Sequence, residues 1–550
     1  MIATRTVPRS AFFGVTLVVV ASMATAAPAR AGHGPATGKR KAKAAPTTRA
    51  RSAAPPLRTR TRALTLDGSL GGGHRAEPML DELRAELDAI WRGRTLRRGI
   101  TAVYVVWADT GEAVYAEHAD EPLNPASNTK LVATASALAT LGPHWRYVTR
   151  LLGPQPGGDG TIAGDVYLLG TADPTLAPAH IDRMAENLAA SGVRRIAGDI
   201  VVGLRPLRDS VGLAPVDLQI LGDTIGAPPQ ITILPPLSGV VTVDNQAETV
   251  ERGASRIAVH RGLSPASGDT LPQVVLTVTG RIRAGHTLKL RRWLSHRDVI
   301  AARFLAAAVA AHGITVDGTV RREAWSGYVT RSAAAGFLPT ELARHESAEL
   351  SRIVARINKP SNNFLADRII MTAGGVAADT TPNMDAGVAL MGSWLERAGI
   401  DPDAVVLDTG SGLSYATEIS VRNIVRVLRT AAGYETPEDL PRPALVMADS
   451  FRHSLAVAGI DGTLRHRFVR SDVKGQMIGK TGTLTGIIAL SGFVSAKDGR
   501  TLCFSIVTNG GRHRRRNFIR RAQADMVKAM HHYLDARKSR LAAAPASAAN

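Results

Sequence analysis

The sequence predicts an α+β protein. A helix and a hairpin open a domain, a β-rich insertion interrupts it, and further helices and three strands complete it. Three observations carry this reading. Residues 79–91 space their apolar side chains helically, just ahead of a hairpin-like stretch at 101–119. Residues 151–295 hold many short strand-like runs, with turn signals at Gly158-Asp159-Gly160 and Pro-rich connections at Pro228-Pro229 and Pro235-Pro236. From Asp298 the texture returns to helices and then to strands.

The elements follow in order. MLDELRAELDAIW is an amphipathic helix, and TAVYVVWADTGEAVYAEHA turns at Asp109-Thr110-Gly111 between two strands. Pro125-Ala126-Ser127-Asn128-Thr129-Lys130 leads into a small-residue helix, LVATASALATLG, stopped by Gly142. An Ala-rich helix runs from Asp298 to His312 and ends at Gly313, and ELSRIVARINK leads to Ser361-Asn362-Asn363. Strands around 477–483, 487–494 and 502–507, with an Asp498-Gly499 turn, precede a closing helix near 517–534. The expected organisation is one domain in two parts, 76–150 and 296–537, an inserted β-rich region at 151–295 and a disordered tail at 538–550.

Composition narrows the function. The chain has 550 residues, 45% hydrophobic and 21% charged, enough to bury a sizeable core. Aromatics make up 4%, too few for a protein that reads RNA mainly by stacking bases. The single cysteine, Cys503, excludes an intramolecular disulfide and any cysteine-based zinc or iron–sulfur site. No HExxH occurs; the nearest string, His345-Glu346-Ser347-Ala348-Glu349, lacks the second histidine. No metal or other cofactor is expected. Net charge is +20, but residues 1–62 supply twelve positive charges and no Asp or Glu. The remainder is mildly basic and Arg512–Arg521 reads as a solvated helix start, so nucleic acid is not an expected partner.

The N-terminus reads as an export signal. Arg5 and Arg9 precede an apolar run, and small-x-small sites follow at Ala24-Thr25-Ala26 and Ala29-Arg30-Ala31. The run of about 14 apolar residues is short of the roughly 20 that span a bilayer, so residues 1–31 are expected to be cleaved rather than to anchor the chain. The mature protein belongs in the periplasm or cell-wall space. Residues 32–75 form a flexible basic linker, suited to spacing and solubility or to weak electrostatic adhesion to anionic wall polymer or lipid headgroups.

Three short strings carry chemistry. In Ser127-x-x-Lys130, three residues of helix place both side chains on one face. A lysine kept neutral by burial and a nearby cation can deprotonate the serine, while the helix start favours the developing negative charge. The bland reading is a helix cap with a surface lysine. In Ser361-Asn362-Asn363, the hydroxyl can relay a proton and an amide can hold a substrate carbonyl. In Lys480-Thr481-Gly482, on a predicted strand, the lysine and hydroxyl suit a carboxylate, and glycine lets a substrate backbone approach. The backbone N–H groups of Ser127 and Thr483 would face an oxyanion. A nucleotide-binding loop ending Gly479-Lys480-Thr481 would need glycine at position 474, which is Lys474.

In this order SxxK, SxN and KTG resemble the signature set of serine β-lactamases and penicillin-binding proteins. The blocks NPASNTKLVATASALATLG, GDVYLLGTADPTL, INKPSNNFLADRII, GSGLS, AGIDGTLRHRF and GKTGTLTGIIALSGFV extend the likeness over about Thr101 to Met530. They resemble the class C low-molecular-mass penicillin-binding proteins, the D-alanyl-D-alanine carboxypeptidase/endopeptidases. That resemblance implies a β-lactamase/transpeptidase-like catalytic domain, an antiparallel sheet flanked by helices. It implies acyl-enzyme hydrolysis of peptidoglycan stem peptides, with β-lactams as covalent inhibitors. Ser127 is then the nucleophile, Lys130 the base, and Ser361 and Asn363 assist, while Lys480, Thr481, Gly482 and Thr483 bind substrate. Three positions depart from the family: Thr409, Asp367, and Gly203, where an acidic contact to a substrate amine is expected. The rival readings are a β-lactamase, which would carry a tyrosine in place of Ser361, and a non-catalytic wall-binding protein, which would have lost Ser127 or Lys130.

Overall fold

The computed structural model describes residues 78–171, 173–203, 216–234, 240–264, 274–292, 297–436, 445–510 and 516–543. The expected signal peptide and basic linker lie outside them. Helix α1 (Pro78–Trp91) leads into the hairpin β1 (Ile100–Trp107) and β2 (Ala113–Glu117). A single 3-10 turn at Ala126–Asn128 then opens α2 (Thr129–Leu141).

The inserted region follows. It runs through β3 (Val148–Gly153), β4 (Thr161–Ile162), β5 (Val166–Gly170), α3 (Pro178–Ala190), β6 (Arg195–Ile196) and β7 (Ile200–Gly203). Next come β8 (Val216–Leu221), β9 (Gln230–Leu234), β10 (Val241–Val250), β11 (Arg256–Leu263), β12 (Val274–Arg283) and β13 (Thr287–Arg292). It ends with α4 (Arg297–Ala311), β14 (Thr315–Val316), β15 (Val320–Glu323), α5 (Trp325–Ala334) and β16 (Thr340–Glu346). Helices α6 (Leu350–Asn358), α7 (Asn363–Ala377), α8 (Met384–Arg397), α9 (Val421–Ala431) and α10 (Leu445–Ser454) return the chain to the first domain. The closing elements are β17 (Ala456–Val457), β18 (Met477–Leu484), β19 (Ile487–Ser495), β20 (Thr501–Asn509) and α11 (Arg516–Ala543).

Six strands form one antiparallel sheet in the order β17-β18-β19-β20-β1-β2. Within it, β1 from the first part of the domain pairs with β20 from the last, from Ile100 opposite Asn509 to Trp107 opposite Leu502. Both faces are covered, and the strand period of two sorts the side chains between them. Ala102, Tyr104, Val106, Cys503 and Val507 pack with α2, α6, α7 and α9 in one core. Val103, Val105, Leu502, Phe504 and Ile506 pack with α1 and α11 in another. An antiparallel sheet between helix layers is the arrangement the sequence predicts, and double coverage explains why β19 and β20 are buried at every position but their last.

The insertion has its own core and closes on itself. A five-stranded mixed sheet, β15-β7-β5-β3-β16, sits with three sheets of three strands. Val148 at the start of β3 pairs with Glu346 at the end of β16, and Ser347 N–H donates to the Tyr147 carbonyl at 2.9 Å. The chain therefore leaves and re-enters the first domain at one point. Two boundaries differ from those read in the sequence. Helix α4 and strand β16 fall beyond residue 295, yet Ile300, Leu305 and Val309 pack with Leu168, Ile200 and Val202 in the insertion core. Helix α3, unmarked in the β-rich reading, covers the same core with Ile181, Met184 and Leu188. At the other end α11 continues to Ala543, so residues 538–543 are helical rather than part of a disordered tail. The segment lacks Gly and Pro and is rich in Ala, Arg, Lys and Leu, all strong helix formers.

Candidate active site

Ser127 and Lys130 stand where a 3-10 turn becomes α2, and this junction is strained. Ala126, immediately before the serine, has φ 48°, a left-handed conformation that a non-glycine residue holds at a cost of roughly 1–3 kcal/mol. Local bonds offset that cost. Ala126 N–H donates to Asn124 Oδ1 at 2.9 Å, Thr129 Oγ1 donates to the Ala126 carbonyl at 2.9 Å, and Asn124 Nδ2 donates to the Ser414 carbonyl at 2.9 Å. Gly412 presses on the same carbonyl, where a Cβ at φ 67° would overlap it.

Lys130 is fully buried. Its Nζ lies 3.1 Å from Ser127 Oγ and 2.7 Å from Asn363 Oδ1, and it contacts the Ser411 carbonyl. Burial pushes its ammonium down to about 7, against the opposing pull of the Asp367 carboxylate. The sequence reading named a neighbouring cation beside burial as the cause; burial dominates, and the Lys130–Lys480 repulsion is felt at Lys480. Asp367 accepts the Ser411 N–H at 2.8 Å, which fixes the carbonyl that faces Lys130.

The second motif lies between α6 and α7. Ser361 has φ 61°, a second strained non-glycine residue. Asn362 caps α7, its side chain accepting from Leu365 N–H at 3.0 Å, and this turns Asn363 toward Lys130. The third motif lies on β18. Lys480 is fully buried, donates to Ser361 Oγ and to the Thr481 carbonyl at 2.8 Å each, and is held well below the usual ammonium range by burial and by Lys130. Ser127, Lys130 and Asn363 thus form one hydrogen-bonded group, and Ser361 and Lys480 a second. Gly482 has a different reason from the expected approach of substrate. A Cβ there would meet the Pro125 carbonyl at 2.6 Å and Ala126 Cβ at 3.1 Å, so the glycine lets the serine-bearing turn dock on the strand.

The serines open onto a cleft of about 980 Å³, lined by Ser127, Ser361 and Asn363 on one side and by Thr481 and Thr483 on another. Sequence reasoning missed several of its residues. Thr463 Oγ1 is 2.8 Å from Thr481 Oγ1, and Arg520 donates to Thr483 Oγ1 at 3.1 Å. Arg465, Arg467 and Arg521 also line the cleft, so part of the stretch read as a solvated helix start belongs to it. The signal was present in the block AGIDGTLRHRF, which carries Arg465 and Arg467. Gly203 does not line the cleft; it is buried at the end of β7 opposite Glu323. Among the described residues the one grouping with metal-ligand spacing, Asp472, His531 and Asp535, includes no cleft residue.

A serine–lysine pair beside a lysine-bearing strand, on an antiparallel sheet between helices, is the arrangement of the penicillin-binding class of serine hydrolases. The chain belongs to the D-Ala-D-Ala carboxypeptidase 3 (S13) family, which residues 83–532 match. It is 30% identical over 474 residues to a D-alanyl-D-alanine carboxypeptidase of Actinomadura sp. (strain R39), covering 78% of this chain and 81% of that one. It is 28% identical over 408 residues to a carboxypeptidase of Mycobacterium tuberculosis, covering 73% and 74% respectively. Among solved structures it is similar in fold to penicillin binding protein 4 of Haemophilus influenzae, solved with a β-lactam: TM-score 0.63, 18% identity, 81% of this chain and 98% of that one. Among the described residues no helix is long and apolar enough to cross a membrane.

Proposed function

We propose that this chain hydrolyses the terminal D-Ala-D-Ala bond of peptidoglycan stem peptides, and cross-links of the same chemistry, through an acyl-enzyme on Ser127. The observation that carries the reading is the surroundings of Lys130. A neutral amine has two N–H bonds and one lone pair. The Ser411 carbonyl and Asn363 Oδ1 can only accept, so they take both N–H bonds. The lone pair is left to the Ser127 hydroxyl, which is the geometry of a general base.

In the acylation step Lys130 takes the Ser127 proton, Oγ bonds to the substrate carbonyl carbon, and the backbone N–H groups of Ser127 and Thr483 receive the oxyanion. The proton that Lys130 took is relayed through the Ser361 hydroxyl, which is hydrogen-bonded to Lys480, to the leaving amine as the C–N bond breaks, so that Lys130 is neutral again and Ser361 keeps its hydroxyl. The Thr481 and Thr483 hydroxyls, with Lys480 behind them, take the terminal carboxylate. Water then releases the shortened peptide. A β-lactam enters the same step and leaves a slowly hydrolysed adduct. The absence of a tyrosine at Ser361 favours this over a β-lactamase, and the intact Ser127–Lys130 pair favours it over a wall-binding protein without catalysis. The layout of residues 1–31 supports action outside the cytoplasm.

The test is labelling with a fluorescent penicillin, followed by peptide mapping, beside an assay of D-Ala release. The adduct is expected on Ser127, and Ser127→Ala should abolish both labelling and release. Labelling that persists in Ser127→Ala would overturn the assignment.

A further inference from the structure

The cleft is wider and more basic than release of D-Ala requires. Its volume of about 980 Å³ lies at the top of the range for small-molecule sites, roughly 300–1,000 Å³. Beyond Thr481 and Thr483 its lining continues through Arg465 and Arg467, on the segment after the 3-10 turn Gly462–Leu464, and through Arg520 and Arg521, on the first turns of α11. No Asp or Glu lines it among the described residues.

Several arginines of this protein pair with a carboxylate, as Arg422 does with Asp120 and Arg291 with Asp217. These four do not. Arg465 donates to His466 Nε2, Arg467 to the Arg520 carbonyl and Arg520 to Thr483 Oγ1, all neutral acceptors. Burial and the Arg520 charge push the Arg467 guanidinium down to about 10, and Arg520 is lowered by burial and by Arg516. Four uncompensated guanidinium groups on the wall of one cleft attract anions, and their fork geometry suits carboxylates.

We infer that Arg465, Arg467, Arg520 and Arg521 form a leaving-group subsite for amines that carry further carboxylates, such as the acceptor strand of a peptide cross-link. The inference rests on the acyl-enzyme reading above. The chemical step is unchanged: Ser127 Oγ bonds to the carbonyl carbon, the C–N bond breaks, and the amine departs with a proton. What differs is the size and charge of that amine. Thr481 and Thr483 hold the carboxylate next to the scissile bond, and the arginines hold those further out.

A matched pair of synthetic peptides tests it on the full chain. Both are acyl-D-Ala-D-Lys, one with succinyl on the lysine side chain, which adds a carboxylate, and one with acetyl, which does not. At low salt the succinyl substrate should have kcat/KM higher by about tenfold or more, the worth of one charge-assisted hydrogen bond. The ratio should fall toward one as salt screens the cleft. It should also fall in Arg465→Gln/Arg521→Gln, with penicillin labelling to verify that the variant is folded. If that variant does not label, the salt dependence of the wild-type ratio decides. A wild-type ratio near one, a ratio insensitive to salt, or a ratio retained in the labelled variant would each overturn the subsite. Failure of Ser127 to acylate at all would instead overturn the reading of the reaction.

Discussion

Asn363 Oδ1 lies 2.7 Å from Lys130 Nζ, joining the first residue of α7 to the first turn of α2. This contact sets the proton inventory of the site. It occupies one N–H of a buried amine whose other N–H faces the Ser411 carbonyl. On the proposed reading Lys130 is therefore aimed at Ser127 before substrate arrives.

Acylation should follow the neutral fraction of Lys130. Burial holds its ammonium near 7, so the amine is protonated and inactive below that pH and free above it. The rate constant for labelling by penicillin should rise as pH passes through about 7 and level off above. A rate that falls over the same range contradicts the role.

Asp367→Asn should move that rise to lower pH. The Asp367 carboxylate favours the charged lysine, and the amide oxygen of asparagine can still accept the Ser411 N–H. Removing one nearby charge while keeping the hydrogen bond isolates the electrostatic effect. An unmoved or raised midpoint in the labelling profile contradicts the assignment.

Lys130→Arg should retain positive charge and lose the base, since a guanidinium does not deprotonate near neutral pH. Penicillin labelling should slow by about 10²–10⁴-fold, the typical contribution of a positioned general base. Near-normal labelling would refute the role.

Gly482→Ala should disturb the serine through the backbone rather than through substrate. Its Cβ would sit 2.6 Å from the Pro125 carbonyl, so the turn carrying Ser127 must shift. The expected cost is about 1–3 kcal/mol of stability, with slower labelling. Thermal unfolding and labelling measured together check it; loss of peptide binding with neither change would restore the substrate-approach explanation.

Arg321→Met should weaken the insertion. Arg321 bonds Asp199 at 2.6 Å and Glu323 at 2.8 Å and contacts Asp165, joining β5, β7 and β15. These groups are partly exposed, so the loss should be about 2 kcal/mol rather than the larger cost of a fully buried pair. Asp199 and Glu323 have lowered pKa values, so their contribution is present above the ordinary carboxylate range and is lost as pH falls through the folded values. The variant's Tm should be lower at neutral pH and less sensitive to acid than that of the wild type. Equal acid sensitivity would count against the network.

Local chemistry was legible in the sequence. Ser127 and Lys130 are three residues apart on a helix, so their proximity follows from the backbone alone. The strands β1 and β20, the turn at Asp109-Thr110-Gly111 and the helix before Ser361 are equally local, and the structure has each of them. Tertiary structure decided the rest. The partners that leave Lys130 its lone pair lie 233 and 281 positions away, and no local pattern encodes such contacts. The depressed pKa of Lys130 depends on burial, which exists only once α2, α7 and β18 have packed. The extent of the insertion depended on β16 pairing with β3, and the arginine wall on α11 bringing Arg520 beside Thr483. A sequence carries each residue's chemistry and its local geometry, but the dielectric, the charge partners and the cleft come from packing segments that lie far apart in the chain.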